Sequence, residues 1–290
     1  MRIRAALKKV VRPVADHVTH AATRRALPAL ERLPHPFAKP IAQAVRETID
    51  GDISRDEAAL IDRIEQRRAA LGADESLIEF MDFGAGKADN TRSLEEAAHG
   101  HATRVTVQQV AQASKSPRYC LLLYKLIRHL EPDTVLEMGT CVGISASYQA
   151  AALKKNGRGR LKTLEGAQEV ARIARKTLEI NQLDNADVVT GPFHETLLAE
   201  MQGIGRIDFL FNDGHHDGAA VLQYFEQSVP YLASPAIVFV DDINWSDSMN
   251  KSWQALKTDA RTAFSVDFGA NGLVVWDPDA GSSTDIVLKI

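Results

Sequence analysis

The sequence predicts an α/β fold: a doubly wound sheet of seven strands, parallel except for a C-terminal antiparallel hairpin, behind a helical N-terminal extension. Three observations carry this reading. From Thr134 onward, short apolar and β-branched runs alternate with helix-period segments, the pattern of strand–helix–strand crossovers. The first run, Asp133 to Met138, stops at Gly139-Thr-Cys-Val-Gly143 and passes into a small-residue helix pattern from Ser145. Strand, glycine turn and helix in that order form the nucleoside or phosphate corner of such sheets. The last two runs are separated only by Gly269-Ala-Asn-Gly272, which marks a hairpin.

Residues 1–105 read as a helical extension with a basic arm, and residues 106–290 as the α/β domain. Residues 1–33 carry helix-period apolar positions punctuated by Pro13 and Pro28, and Leu33 to Pro40 is a proline-dense connector. Ser54 to Leu71 reads as a charged amphipathic helix with Ala58, Leu60, Ile61, Ile64 and Leu71 as apolar positions. Phe80-Met-Asp-Phe-Gly-Ala-Gly-Lys87 imitates a strand ending in a glycine turn, but polar residues follow, so it is expected to be a loop. Helices are expected over 106–113 and 119–130, with Ser116-Pro117 opening the second because proline suits a first helical turn. The strand candidates are 134–138, 160–164, 186–190, 206–212, 236–241, 262–268 and 272–276. Helices are expected in the first four gaps and over 247–260.

A chain of 290 residues can bury one large core plus an accessory segment. Its 45% hydrophobic and 25% charged residues are ordinary for a soluble globular protein. The net charge of -4 argues against a nucleic-acid binder. The charge is uneven: ten Lys and Arg against Asp16 and Glu31 in residues 1–46 leave that segment near +8 and the remainder near -12. Such an arm could touch an anionic membrane surface or nucleic acid, form a solvated helix, or dock on an acidic face of its own or of a second subunit in a homodimer. Only Cys120 and Cys141 are present, so a disulfide framework is not expected and a reducing cytoplasm fits. No apolar run reaches the roughly 20 residues that span a bilayer, and the first ten residues do not read as a secretory signal.

The glycine turn decides which cofactor is expected. Leu161-Lys-Thr-Leu-Glu165, one strand–helix step further on, ends in an acid that can accept hydrogen bonds from a ribose diol. A dinucleotide fingerprint would read G-x-G-x-x-G, whereas this turn places three residues between Gly139 and Gly143. No phosphate-binding Lys follows, so a P-loop is excluded. A cofactor with one nucleoside and no pyrophosphate fits better.

The set Glu137-x-Gly139-x-x-x-Gly143-x-Ser145 with Glu165 resembles the first motif and the ribose acid of class I S-adenosylmethionine-dependent methyltransferases. Their sheet is Rossmann-like, seven-stranded and ends in the same hairpin. The chain looks most like the catechol, caffeoyl-CoA and macrocin-type O-methyltransferases, over roughly residues 113–250. The resemblance implies S-adenosylmethionine as cofactor, held by Glu137, Gly139, Cys141, Gly143, Ser145, Glu165, Gly166, Phe193 and Asp213. Ser114 to Tyr119 falls where such enzymes have a gate over the cofactor.

A second constellation lies further along. The fourth strand delivers Asp213-Gly-His-His-Asp217 and the fifth delivers Asp241-Asp242. Ligands of open α/β sheets bind outside the carboxyl ends of strands, so three carboxylates should converge beside the cofactor. Clustered carboxylates repel unless a cation or proton lies between them, and an all-oxygen cluster suits a hard ion such as Mg²⁺. Asp213, Asp241 and Asp242 match the metal positions of the resembled enzymes. His216 stands where catechol-type enzymes have a catalytic Lys, and macrocin-type enzymes carry His. Two alternatives stand beside this: Asp213 touching only the cofactor, and one of Asp241 and Asp242 capping the next helix. His215 reads as a loop residue, His194 as a surface or adenine-pocket residue, and Trp245 and Trp253 as pocket or packing residues.

The expected function is metal-assisted O-methylation of a small-molecule hydroxyl, with His216 and Asp213 catalytic. Rival classes are a nucleotide-cofactor oxidoreductase or epimerase, and a non-enzymatic scaffold on the same fold.

Overall fold

The computed structural model describes residues 19–82, 100–281 and 283–290. The first part of the basic arm, residues 1–18, lies outside the described residues.

The central sheet is built from β3 (Thr134–Met138), β4 (Arg160–Glu165), β5 (Ala186–Thr190), β6 (Ile207–Asn212), β7 (Leu232–Val240), β8 (Thr262–Asp267), β9 (Gly272–Trp276) and β10 (Thr284–Val287). Its order is β10-β8-β9-β7-β6-β3-β4-β5. β3 to β7 pair in parallel, β9 is antiparallel to β7 and β8, and β10 adds parallel to β8. The chain winds outward from β3 through β4 to β5, then returns to lay β6 and β7 on the other side. The switch point therefore lies between β3 and β6, and its crevice is where open sheets of this type take ligands.

Buried parallel strands explain the near-continuous apolar runs. Alternate residues feed two cores. Val135, Phe209, Phe211 and Phe239 face one; Leu136, Met138, Leu210 and Val238 face the other. The first core is shared with the extension, whose Leu27, Leu30, Ile41 and Val45 are buried in it.

The extension is helical over residues 19–31, then in α2 (Ala38–Asp50) and α3 (Arg55–Leu71). α3 opens on a capping box, Ser54 and Glu57 each bonding the other's backbone. α2 starts inside the expected proline connector, with Pro40 in its first turn, a position that demands no backbone donor. A buried charge cluster ties both helices to α5 (Pro117–Leu130). Lys125 Nζ lies 3.0 Å from Glu47 Oε2 and 3.2 Å from Glu57 Oε2, and His129 Nε2 lies 3.0 Å from Glu47 Oε1. Burial pushes both carboxyls up, but their hydrogen bonds and the cations outweigh it and hold each below the ordinary glutamate value.

Three expectations are corrected. The extension is not wholly helical: β1 (Leu77–Asp82) pairs antiparallel with β2 (His101–Thr106). Phe80 to Asp82 therefore lie in a strand and not in a loop; the remaining residues of that stretch, 83–87, lie outside the described residues. The period-two burial of Ile78, with Phe80 packed on the core, was masked by the glycines that follow. An eighth strand, β10, extends the expected seven, its polar residues Thr284 and Asp285 sitting on an exposed edge. The α4 helix is short, Val107–Ala111, capped by Thr106. As expected, α5 starts at Pro117 with Ser116 as its cap.

Candidate active site

β3 ends at Met138 and the chain must turn at once, because the loop after β6 passes directly across it. The Asp213 amide donates to the Met138 carbonyl at 2.9 Å. Gly139 has φ +98°, and a Cβ there would come within 2.5 Å of the Asp213 carbonyl oxygen. Only glycine satisfies both conditions. Cys141 follows at φ 50° and Gly143 at φ 85°, and Gly143 opens α6 (Ile144–Asn156).

Glu165 at the tip of β4 is tied to this turn. Its Oε2 accepts from the Cys141 amide at 2.8 Å and its Oε1 from the Ala167 amide at 2.9 Å. Burial pushes its carboxyl up to about 7, against the opposing pull of the backbone amides of Ala167, Cys141 and Gly166. Glu137 lies beneath the turn and is fully buried. It accepts from Ser145 Oγ at 2.6 Å, Gln149 Nε2 at 2.7 Å and Thr163 Oγ1 at 2.6 Å, and burial raises it to about 7. Glu137 and Ser145 thus brace the turn from below. Phe193 opens α8 (Phe193–Ile204). Its ring meets the loop after β6 so closely that a Cβ on Gly214 would come within 2.3 Å of it.

The second constellation sits across the switch point. The Asp241 amide donates to the Asn212 carbonyl at 3.0 Å, lacing the tips of β6 and β7. Asp213, His216 and Asp241 each offer one ligand atom within 4.8 Å of the others. Asp242 is outside that trio: at φ 52° its Oδ2 lies 3.3 Å from His216 Nδ1. Asp241 is buried and accepts from Asn271 Nδ2, in the hairpin turn. Burial pushes the Asp213 carboxyl up to about 7, with Asp242 adding to the rise and Lys115 opposing it. Burial also holds His216 below its ordinary value, opposed by Asp242 and reinforced by Lys115 and His215. The imidazole is therefore neutral near pH 7.

Neither acid of the strand-seven pair caps the next helix, α10 (Asp247–Thr258), whose cap is Ser246. His215 lies against Tyr224, ring centroids 6.3 Å apart. Trp245 is half exposed and 6.0 Å from the His216 ring, while Trp253 is buried packing. His194 is half exposed beside Glu195. A shallow groove of about 560 Å³, lined by Lys154, Arg175 and Asp187 among others, lies at the amino end of β5. Strand-end geometry places the chemistry at the opposite end.

Sequence reasoning missed Lys115. Its Nζ lies 3.2 Å from Asp213 Oδ1 and in direct contact with Asp241 Oδ2. It was visible only as part of the gate segment, and no spacing rule joins residue 115 to strand tips a hundred residues away. Arg68, whose Nη1 donates to the Lys115 carbonyl at 2.6 Å, carried no signal at all.

Residues 136–243 match the family described as Methyltransferase domain. That span runs from the first strand to just past the acidic pair. Over that span the chain is similar to a methyltransferase domain. Its sequence is 33% identical over 132 residues to the catechol O-methyltransferase of Niastella koreensis, a match covering 44% of this chain and 57% of that protein. The chain thus spans little more than half the length of the curated relative it matches. Two solved structures share the fold. The O-methyltransferase from Bacillus cereus in complex with SAH superposes with a TM-score of 0.51 at 19% identity, covering 80% of this chain and 97% of that one. The SAH-bound methyltransferase PaMTH1 from Podospora anserina gives 0.52 at 16%, covering 84% and 98%. The methyltransferase sheet expected from the sequence is therefore the one observed, lengthened by β10.

Proposed function

We propose that this chain is an S-adenosylmethionine-dependent methyltransferase acting on the hydroxyl of a small molecule, with a divalent ion, Mg²⁺ by its oxygen donors, assisting at the acidic site. The observation that carries this is the meeting of the Gly139 turn, Glu165 and the Asp213–His216–Asp241 trio in one switch-point crevice. The relatives, a catechol O-methyltransferase and two SAH-bound methyltransferases, support the same reading.

The residues fit the cofactor. Gly139, Cys141 and Gly143 give a turn with little side-chain bulk, open to an adenosyl and methionine moiety. Glu165, with each oxygen already receiving one backbone amide, keeps further lone pairs for a ribose diol. Gly166 follows it in the same turn, and Phe193 stands at the start of the loop expected near adenine. Glu137 and Ser145 act from beneath, fixing the turn. The cofactor supplies the methyl group as a sulfonium.

The two carboxylates of the trio, Asp213 and Asp241, also fit a hard divalent cation by their oxygen donors. Asp213 and Asp241 would hold it, Asp242 would support the site through His216, and the ion would lower the pKa of an acceptor hydroxyl. His216 is the residue to take that proton. Its Nδ1 lies 3.3 Å from Asp242 Oδ2 with no hydrogen bond between them, and a neutral imidazole keeps one nitrogen lone pair to accept that proton. Alignment of the hydroxyl and stabilisation of the incipient alkoxide supply the remaining acceleration.

The excess positive charge of the basic arm over an acidic remainder supports docking on the protein's own surface or a second copy's, in preference to anionic membrane. Two free cysteines support a cytoplasmic setting. No described helix is long and apolar enough to cross a membrane.

The test is transfer of radiolabelled methyl from S-adenosylmethionine to a panel of catechols and sugar hydroxyls, with Mg²⁺ and with EDTA. Transfer that falls on chelation and returns with Mg²⁺ supports the reading. No transfer to any hydroxyl, with tight NAD binding, would overturn it in favour of the oxidoreductase class.

A further inference from the structure

We propose that Lys115 is a built-in occupant of the cation position between Asp213 and Asp241, held there by Arg68, and that Lys115 and a divalent ion exclude each other at that position. The inference rests on the acceptor site proposed above and deepens it.

The ammonium lies 3.2 Å from Asp213 Oδ1 and touches Asp241 Oδ2, the two carboxylates that would hold an ion. The Lys115 side chain is 14% exposed, against 12% for Asp213 and 2% for Asp241. All three are thus withdrawn from solvent, where like charges repel strongly and an opposite charge is needed. A tethered ammonium supplies it. A divalent ion entering between the same oxygens would meet a positive charge within hydrogen-bonding distance, so one of the two must leave.

The backbone that carries Lys115 is fixed from both sides. From the extension, Arg68 Nη1 donates to the Lys115 carbonyl at 2.6 Å and Nη2 to Cys120 Sγ at 3.4 Å, while its Nε donates to Glu65 Oε2 at 2.9 Å. Glu65 Oε1 in turn accepts from the Tyr148 hydroxyl on α6 at 2.8 Å. On the far side, Tyr119 donates its hydroxyl proton to the Phe268 carbonyl at 3.2 Å. Ser116 caps the helix that starts one residue later. The lysine therefore projects from a rigid helix start, and Arg68 is a positioning residue for it.

The experiment measures Mn²⁺ binding to the full chain by the paramagnetic resonance signal of free Mn²⁺, for wild type and Lys115→Met. The variant keeps the stem and removes the charge. It should bind roughly tenfold more tightly or better, since close charge pairs couple by at least that factor. Equal affinity would overturn the proposal. Because the variant could misfold, the second readout uses wild type alone: acetylation of Lys115 by acetic anhydride, followed by mass spectrometry. Labelling should be slow without ion and severalfold faster at saturating Mn²⁺; unchanged labelling would overturn the exclusion. Arg68→Gln should raise ion-free labelling, and no change would remove the clamp. Neither readout needs cofactor or acceptor, so failure here leaves the methyl-transfer reading standing, and failure of cofactor binding leaves these results interpretable.

Discussion

The Cys141 amide donates to Glu165 Oε2 at 2.8 Å, so the glycine turn after β3 and the acid at the tip of β4 form one unit. With Ala167 on the other oxygen, the carboxylate satisfies two backbone donors that bond no other acceptor among the described residues. Glu165→Ala should therefore cost stability as well as cofactor affinity, by about 1–3 kcal/mol for orphaned buried donors. Urea denaturation of the ligand-free protein measures this part separately. A wild-type midpoint would mean that the acid has no structural role.

Glu137 and Glu165 both sit near 7 because burial disfavours their charge. The native state then binds more protons than the unfolded chain between about 4.5 and 7. Stability should be fullest below about 4.5 with respect to these two groups and should fall as pH rises to 7. Glu137→Gln keeps the contacts with Ser145 and Gln149 and turns an amide NH₂ towards Thr163. It should flatten that fall by about 3 kcal/mol at most, read from melting curves across pH. Glu47 and Glu57 act in the opposite sense and lose their contribution only as pH drops below about 4.5.

Lys125→Met would leave Glu47 and Glu57 without their shared cation. Removing one partner of a buried pair costs about 3–5 kcal/mol. His129 and Arg128 remain beside them, which places the expected loss near the lower end. Denaturant unfolding reads it, and a change below ~1 kcal/mol would mean that water reaches the cluster freely.

His216→Ala should lower methyl transfer by roughly 10²–10⁴-fold, the usual contribution of a positioned base. Burial lowers His216 from its ordinary value, so the acid limb of the wild-type rate should lie below the ordinary imidazole range, and the variant should lose that limb. Asp242→Asn should cost less than His216→Ala and shift the same limb, because Asp242 acts on the imidazole through its charge. A pH–rate profile of the three proteins checks both, and an unaltered profile for His216→Ala would remove it as base.

The sheet was legible because buried parallel strands must be apolar and their crossovers must be helix-periodic. Gly139, Gly143 and Glu165 were legible because a close backbone approach and an acid at a strand tip leave a residue-type signature. β10 was not, since a polar edge strand has no apolar run. β1 was obscured by the glycines after Asp82. Asp213 and Asp241 come together as strand-end reasoning expects, while His216 was singled out only by the resemblance to catechol- and macrocin-type enzymes. The direction of Asp242 depends on its left-handed backbone, which spacing does not encode. Lys115 and Arg68 act through distances closed only by folding.

The crevice at the β3–β6 switch point is expected to take one adenosyl cofactor without a pyrophosphate. Isothermal calorimetry of the full chain with S-adenosylhomocysteine and with NAD tests it directly, for wild type and Glu165→Ala. Wild type should bind S-adenosylhomocysteine at micromolar concentration or tighter and show no measurable NAD binding, and the variant should lose about 1.5–3 kcal/mol for a hydrogen bond to a charged group. Tight NAD binding with none for S-adenosylhomocysteine would contradict it.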